Sequence, residues 1–163
     1  MSRDSLARPE LLARLNRELQ RGSDHAVLFN QAVALRVGIH PTDLKVLSLL
    51  YQDGPLTAGQ LAGLTGLSTG GITFMIDRLE KAGYVQRAPH PHDRRSVLVE
   101  LQREQTLRDT GRFFAAMGQA VDTLAASYTD EELAVILDFI TRSNEVAKRE
   151  TARVREDVTV KAT

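Results

Sequence analysis

The chain has 163 residues, 42% hydrophobic and 26% charged, an ordinary globular composition that fits one compact domain and excludes an intrinsically disordered chain. It contains no cysteine, which rules out disulfides, thiolate metal sites and cysteine nucleophiles. Its 21 basic and 21 acidic residues cancel, so any attraction for nucleic acid has to be local rather than a property of the whole surface.

Residues 1–8 read as a loose start, without the basic-then-apolar pattern of a signal segment. From Pro9, acceptable at a first helical position, Leu11, Leu12, Leu15 and Leu19 recur at helical spacing. Gly22-Ser23-Asp24 predicts a break, after which Val27, Leu28, Ala32 and Leu35 belong to a second segment ended by Gly38. His40-Pro41-Thr42-Asp43 opens a third helix, with Asp43 well placed in the first turn for the helix dipole and Leu44, Leu47, Leu50 and Tyr51 as its buried stripe. Asp53-Gly54-Pro55 closes it as a turn.

Two short helical patterns follow. Thr57 and Gln60 stand at capping-box spacing, and Leu61 and Leu64 are expected to face inward. Thr65-Gly66-Leu67 supplies the glycine of a helix-turn-helix corner, and Ser68 is the N-cap of a second helix that runs to about Ala82 and is stopped by Gly83. On a wheel of about 100° per residue, Ile72, Met75, Ile76 and Leu79 form one apolar face that must be buried. Gly70, Thr73, Phe74, Asp77 and Lys81 lie opposite, with Arg78 on the flank; that side is available to a partner.

Residues 84–87 and 96–101 are β-prone runs. The loop between them carries His90, His92, Asp93, Arg94 and Arg95, and its prolines prevent helix. A helix-turn-helix followed by a two-stranded ribbon with a basic tip is a winged helix, whose second helix enters the major groove while the tip lies on the flanking backbone or in the minor groove. Beyond it, Gln102 to about Ser127 reads as one helix, weakened by Gly111 and Gly118. Thr129 and Glu132 make another capping box, opening a last helix with Leu133, Ile136, Leu137 and Ile140 on one face and Val135, Phe139 and Val146 alongside. Two adjoining apolar stripes exceed what one small domain needs and suggest a subunit interface. The mixed charges after Ala147 predict fraying, and a disordered tail is expected over 156–163. No apolar run approaches the ~18–20 residues of a membrane span, so a cytoplasmic location is expected.

The succession LTAGQLAGLTGLS, GGITFMIDRLEKAGYV and DRRSVLVEL resembles the MarR family of bacterial transcription regulators. The most specific part is the DRR tip together with the D-R-L-E-K-A-G helix ending. The resemblance implies a mainly α protein with a small two-stranded β wing. Residues 5–37 and 103–155 would be dimerisation helices, and 41–101 the DNA-binding lobe of a single domain spanning 1–163. It further implies a homodimer on a palindromic operator, repression of nearby genes, and release by a small-molecule effector lodged between the dimerisation helices and the lobe, where Phe29, Phe113 and Phe114 are candidates for its lining or for core. One branch of the family senses peroxide through a cysteine, and this chain cannot.

The residues assigned to DNA are Ser68, Thr69, Gly70, Thr73, Phe74 and Arg78 on the helix and Asp93, Arg94 and Arg95 at the tip. The resemblance favours Asp93 and Arg95 as the anchoring pair. Gly70 and Gly71 either admit a phosphate to the helix N-terminus or merely relieve crowding against the preceding helix. Thr73 is expected at a base edge or a phosphate, and Arg78 at a phosphate. At Phe74 the family usually shows a polar residue; the aromatic either touches a thymine methyl or packs against a neighbouring helix. Asp77 and Lys81 are expected to pair along the helix surface. No catalytic set, cofactor loop or metal site is expected, because His90 and His92 lack further ligands. The competing reading is a winged-helix protein-interaction module that never binds DNA.

Overall fold

The computed structural model describes residues 7–93 and 96–161, with 156–161 as backbone only. The elements are α1 (Arg8–Val37), α2 (Pro41–Asp53), β1 (Leu56–Thr57), α3 (Ala58–Thr65), α4 (Thr69–Lys81), β2 (Val85–Pro89), β3 (Val97–Leu101), α5 (Arg103–Ala125) and α6 (Asp130–Lys161). They form two compact units divided after Phe114, within α5.

In the first unit, α2, α3 and α4 close a core over a small antiparallel sheet. Val46, Leu47 and Leu50 of α2, Leu61 of α3, and Ile72, Met75, Ile76 and Leu79 of α4 are buried together with Leu56, Tyr84, Val85 and Val99. The α4 face read from periodicity is therefore the buried one. The helix starts also follow the sequence. Thr57 Oγ1 accepts the Gln60 amide at 3.2 Å while Gln60 Oε1 accepts the Thr57 amide at 2.8 Å. Thr129 and Glu132 exchange the same two bonds at the start of α6. At α2 the cap is His40, whose Nδ1 accepts the Thr42 amide at 3.2 Å. Gly66 (φ 75°) and Gly83 (φ 77°) turn the chain in the left-handed region that favours glycine, one between α3 and α4 and the other after α4.

Five details differ from the sequence reading. The sheet has three strands, in the order β1-β3-β2, because Leu56 and Thr57 pair with Val99 and Leu98 on the free edge of β3. The predicted break at Gly22 is absent: α1 is continuous for 30 residues. Glycine in a helix costs only about 1 kcal/mol relative to alanine, and starting a second helix would cost a new nucleus. Leu64 does not face inward but is 46% exposed. Tyr51 is exposed as well and lies under the Arg103 guanidinium, 4.9 Å from its ring centroid. Finally, α6 runs on to Lys161, past the point where the mixed charges predict fraying.

A second buried cluster in the same unit joins Val33 and Ala34 of α1 to Leu44 of α2, with Phe29 and Phe113 packed against it. In the second unit, the end of α5 and α6 leave large apolar side chains exposed, among them Val121, Leu124, Val135, Leu137 and Ile140. No helix is long and apolar enough among the described residues to cross a membrane.

Candidate nucleic-acid interface

The corner between α3 and α4 presents α4 by its N-terminus. Ser68 Oγ accepts the Gly71 amide at 3.2 Å, which commits the Ser68 hydroxyl to capping. The first N–H groups of a helix have no intrahelical acceptor, so those of Thr69 and Gly70 point out of the helix end, where an anion is favoured. Thr69, Gly70, Thr73 and Phe74 are all exposed, and together they make the outer face of α4. A Cβ built at Gly70 meets nothing within 4 Å, so crowding inside the fold does not explain that glycine; at Gly71 the nearest atoms are Ser68 Oγ at 3.4 Å and Leu67 Cβ at 3.9 Å. Thr73 Oγ1 donates to the Thr69 carbonyl at 3.0 Å. Its proton is thereby used within the helix, and its lone pairs remain to accept from a partner.

Phe74 is 67% exposed and not packed into the fold. The Arg78 guanidinium lies over its ring, with Cζ 5.4 Å from the centroid. Arg78 itself is held from below. Its Nε donates to Asp43 Oδ2 at 2.9 Å and its Nη2 donates to Oδ1, a bidentate pair that raises the arginine pKa chiefly through these hydrogen bonds. Asp43 is only 1% exposed, whereas the Arg78 side chain keeps 43% of its surface. Arg78 is thus first an internal counter-ion, which the sequence reading as a phosphate ligand missed. A signal was available: Asp43 stands four and seven residues before Leu47 and Leu50, on the buried stripe of α2, where a carboxylate needs a cation.

The predicted Asp77–Lys81 pair is replaced by a cross-element clamp. Arg87 of β2 donates Nη2 to Asp77 Oδ1 and Nη1 to Glu80 Oε2, and its backbone amide donates to Glu80 Oε1 at 3.1 Å. Both carboxylates on this side of α4 therefore share one arginine.

At the wing tip, Asp93 closes the turn. Its Oδ2 accepts the Ser96 hydroxyl at 2.6 Å and its carbonyl accepts the Ser96 amide at 3.0 Å, while the His90 amide donates to the Ser96 carbonyl at 3.2 Å. Arg94 and Arg95 lie outside the described residues. His90 Nδ1 accepts the His92 amide at 3.2 Å, which fixes the turn. Among the described residues no group of three or more His, Asp or Glu is placed to hold a metal. Behind the interface the Tyr84 hydroxyl donates to Asp109 Oδ2 at 2.8 Å, and Gln105 Nε2 donates to the same oxygen at 2.7 Å. Of the three phenylalanines expected near an effector, Phe29 meets Phe114 edge to face at 5.6 Å between centroids, and Phe113 carries the Arg112 guanidinium at 4.6 Å.

Residues 39–97 match the family model of the MarR family. The HTH-type transcriptional regulator YcgE of Bacillus subtilis (strain 168) is 40% identical over 130 residues, covering 80% of this chain and 84% of that protein. The multiple antibiotic resistance protein MarR of Salmonella typhimurium is 38% identical over 63 residues, 39% of this chain and 44% of that one. Among solved structures, a MarR family protein from Bacillus stearothermophilus superposes with a TM-score of 0.68 at 21% identity, covering 88% of this chain and 99% of the other.

Proposed function

The chain belongs to the MarR family of transcriptional regulators, and on that footing we propose how it engages DNA: α4 enters the major groove by its N-terminal half and the wing tip rests on the flanking duplex. Regulators of this family bind DNA and act as dimers. The observation that carries the proposal is the division of α4 into two faces, one closed by Ile72, Met75, Ile76 and Leu79 and the other offering Thr69, Gly70, Thr73 and Phe74 to solvent.

Each group then has a task. The Thr69 and Gly70 amides take a phosphate at the positive end of the helix, and Gly70 lets the backbone come close. Thr73, with its proton given to the Thr69 carbonyl, accepts from a base amino group. The Asp93–Ser96 bond fixes the wing tip, and Arg94 and Arg95 are its proposed contacts to the phosphates or the minor groove. Asp77 and Glu80, which would repel phosphate, are both paired with Arg87, which offsets part of their negative charge. Two copies related by a two-fold axis place two such helices on half-sites one helical turn apart, about 10 base pairs, so the operator is an imperfect palindrome. The protein represses by occupying a promoter. An effector seated beside Phe29, Phe113 and Phe114 releases it by favouring a dimer with mis-spaced helices. A compound that binds the protein and leaves operator affinity unchanged at saturation is not that effector.

The test is binding to the DNA upstream of its own coding sequence, titrated at several salt concentrations against an unrelated duplex. Tight binding to the upstream fragment is expected, weakening steeply with salt, with Arg95→Ala reducing affinity by roughly tenfold and lowering the salt slope by about one. Equal, weak binding to both fragments, together with no sequence enriched from a random duplex pool, would refute the proposal.

A further inference from the structure

Phe74 contributes nothing visible to the fold. It sits two-thirds exposed in the middle of a helix whose inner face is already closed by four other residues. Its exposed neighbours along the outer face of α4 are Gly70, Thr73, Asp77 and Arg78, which are polar or carry no side chain.

The ring is nevertheless held. Helical side chains lean toward the N-terminus, over the residue four positions earlier. For Arg78 that residue is Phe74, and the guanidinium does lie over the ring at 5.4 Å. Arg78 is not free to follow the ring about, because two hydrogen bonds tie it to Asp43, which is buried at the foot of α2. For Phe74 the residue four earlier is Gly70, which brings no side chain and whose missing Cβ leaves open space. The ring is therefore walled on its C-terminal side by an anchored cation and open on its N-terminal side, toward the end of α4 that leads into the groove.

We propose that Phe74 is a specificity-determining residue that reads the C5-methyl group of one thymine per half-site, with Arg78 as its positioning residue; the proposal rests on the DNA-binding reading above. Among the base edges of the major groove, the thymine methyl is the largest apolar group. A purine edge would bring a donor or acceptor against the phenyl ring, where it loses its water and gains no partner, and cytosine offers only a C5–H where thymine projects a methyl. The neighbouring Thr73 takes the polar part of the readout with its lone pairs, so the two side chains divide one stretch of the groove between a methyl and an amino group.

Replacing thymine by deoxyuridine removes the methyl and nothing else. Duplexes enriched from a random pool by the full chain would be remade with each thymine so replaced, one at a time. At one position in each half-site, uracil should weaken wild-type binding about 3- to 10-fold, the worth of one buried methyl. In Phe74→Ala the thymine and uracil duplexes should bind equally at that position, with the thermal transition unchanged because the ring is exposed. Arg78→Lys, which keeps the charge and loses the fork, should shrink the thymine-to-uracil ratio whatever it does to overall affinity. Binding to the enriched duplex with no uracil-sensitive position, or the same sensitivity in Phe74→Ala, overturns the inference and leaves the DNA-binding reading standing. A wild-type ratio in Arg78→Lys removes Arg78 from it. Failure to enrich any duplex overturns both readings together.

Discussion

Asp43 illustrates how one residue can be read correctly for its position and still be missed for its role. Its place in the first turn of α2 suits the helix dipole, and its carboxylate does accept the His40 amide at 3.4 Å. That role alone would leave it at the surface; burial at 1% exposure makes the Arg78 fork obligatory. Arg78→Ala strands a buried carboxylate and should lower stability by about 2–3 kcal/mol, while the double variant with Asp43→Ala should recover part of that loss, as measured by urea unfolding. An additive double variant would mean that the pair does not interact. Tyr84 makes a second such residue. Burial first, and then its hydrogen bond to Asp109, push its phenol from the ordinary 10 up to about 12. The folded state thus keeps the proton longer than the unfolded chain does. The associated stability is complete below pH 10 and is lost as pH rises from 10 through about 12. Tyr84→Phe should cost about 1 kcal/mol at neutral pH and flatten that alkaline decline. Absorbance titration should find a late-ionising phenol in the wild-type protein that is missing from the variant. Local pattern signals that Asp43 needs a cation but identifies neither partner, since Arg78 and Asp109 stand 35 and 25 residues from the groups they bind.

At the scale of elements, α4 was almost wholly legible. Its buried face follows a 3.6-residue period, its cap is the adjacent Ser68 and its stop is Gly83, all within one short stretch. What local reading could not supply were features that belong to two elements at once. A two-residue strand has no periodicity, so β1 exists only through its pairing with Val99 and Leu98. The Gly22-Ser23-Asp24 signal is genuine turn chemistry overruled by intact helix on both sides. The Asp77–Lys81 spacing was likewise sound, yet β2 brings Arg87 to Asp77 and Glu80 instead. That substitution of partners has a consequence for α4 as a DNA-facing element. Arg87→Ala should expose two carboxylates beside the duplex and weaken operator binding roughly 5- to 10-fold at low salt, with the loss shrinking as salt screens the repulsion. Stability should move by no more than about 1 kcal/mol, because the pairs are exposed. An equal loss at every salt concentration would point to a distorted wing rather than to charge.

At the scale of the molecule, α6 poses the remaining question. It is 32 residues long, and none of its side chains is buried among the described residues. Val135, Ile136, Leu137, Phe139 and Ile140 all lie exposed along it. A helix in water draws most of its stability from packing an apolar face, and this one has apolar residues on two adjoining stripes, none of them buried among the described residues. In the dimer proposed above, a second copy covers these stripes. Leu137 is 67% exposed in the single chain, so a charge there costs an isolated protomer little. In a two-fold dimer each substitution occurs twice. Losing two buried leucines amounts to about 3–6 kcal/mol, so Leu137→Glu should raise the dimer dissociation constant by roughly 10²- to 10⁴-fold. Sedimentation should show the wild-type chain as a dimer and the variant as a folded monomer at micromolar concentration. Operator binding should fall with it, since a monomer engages one half-site and loses the advantage of linkage to the other. A variant that remains dimeric with full operator affinity would place the two-fold contact elsewhere, on α1 or the end of α5, whose exposed Leu28, Val121 and Leu124 are then the next residues to charge.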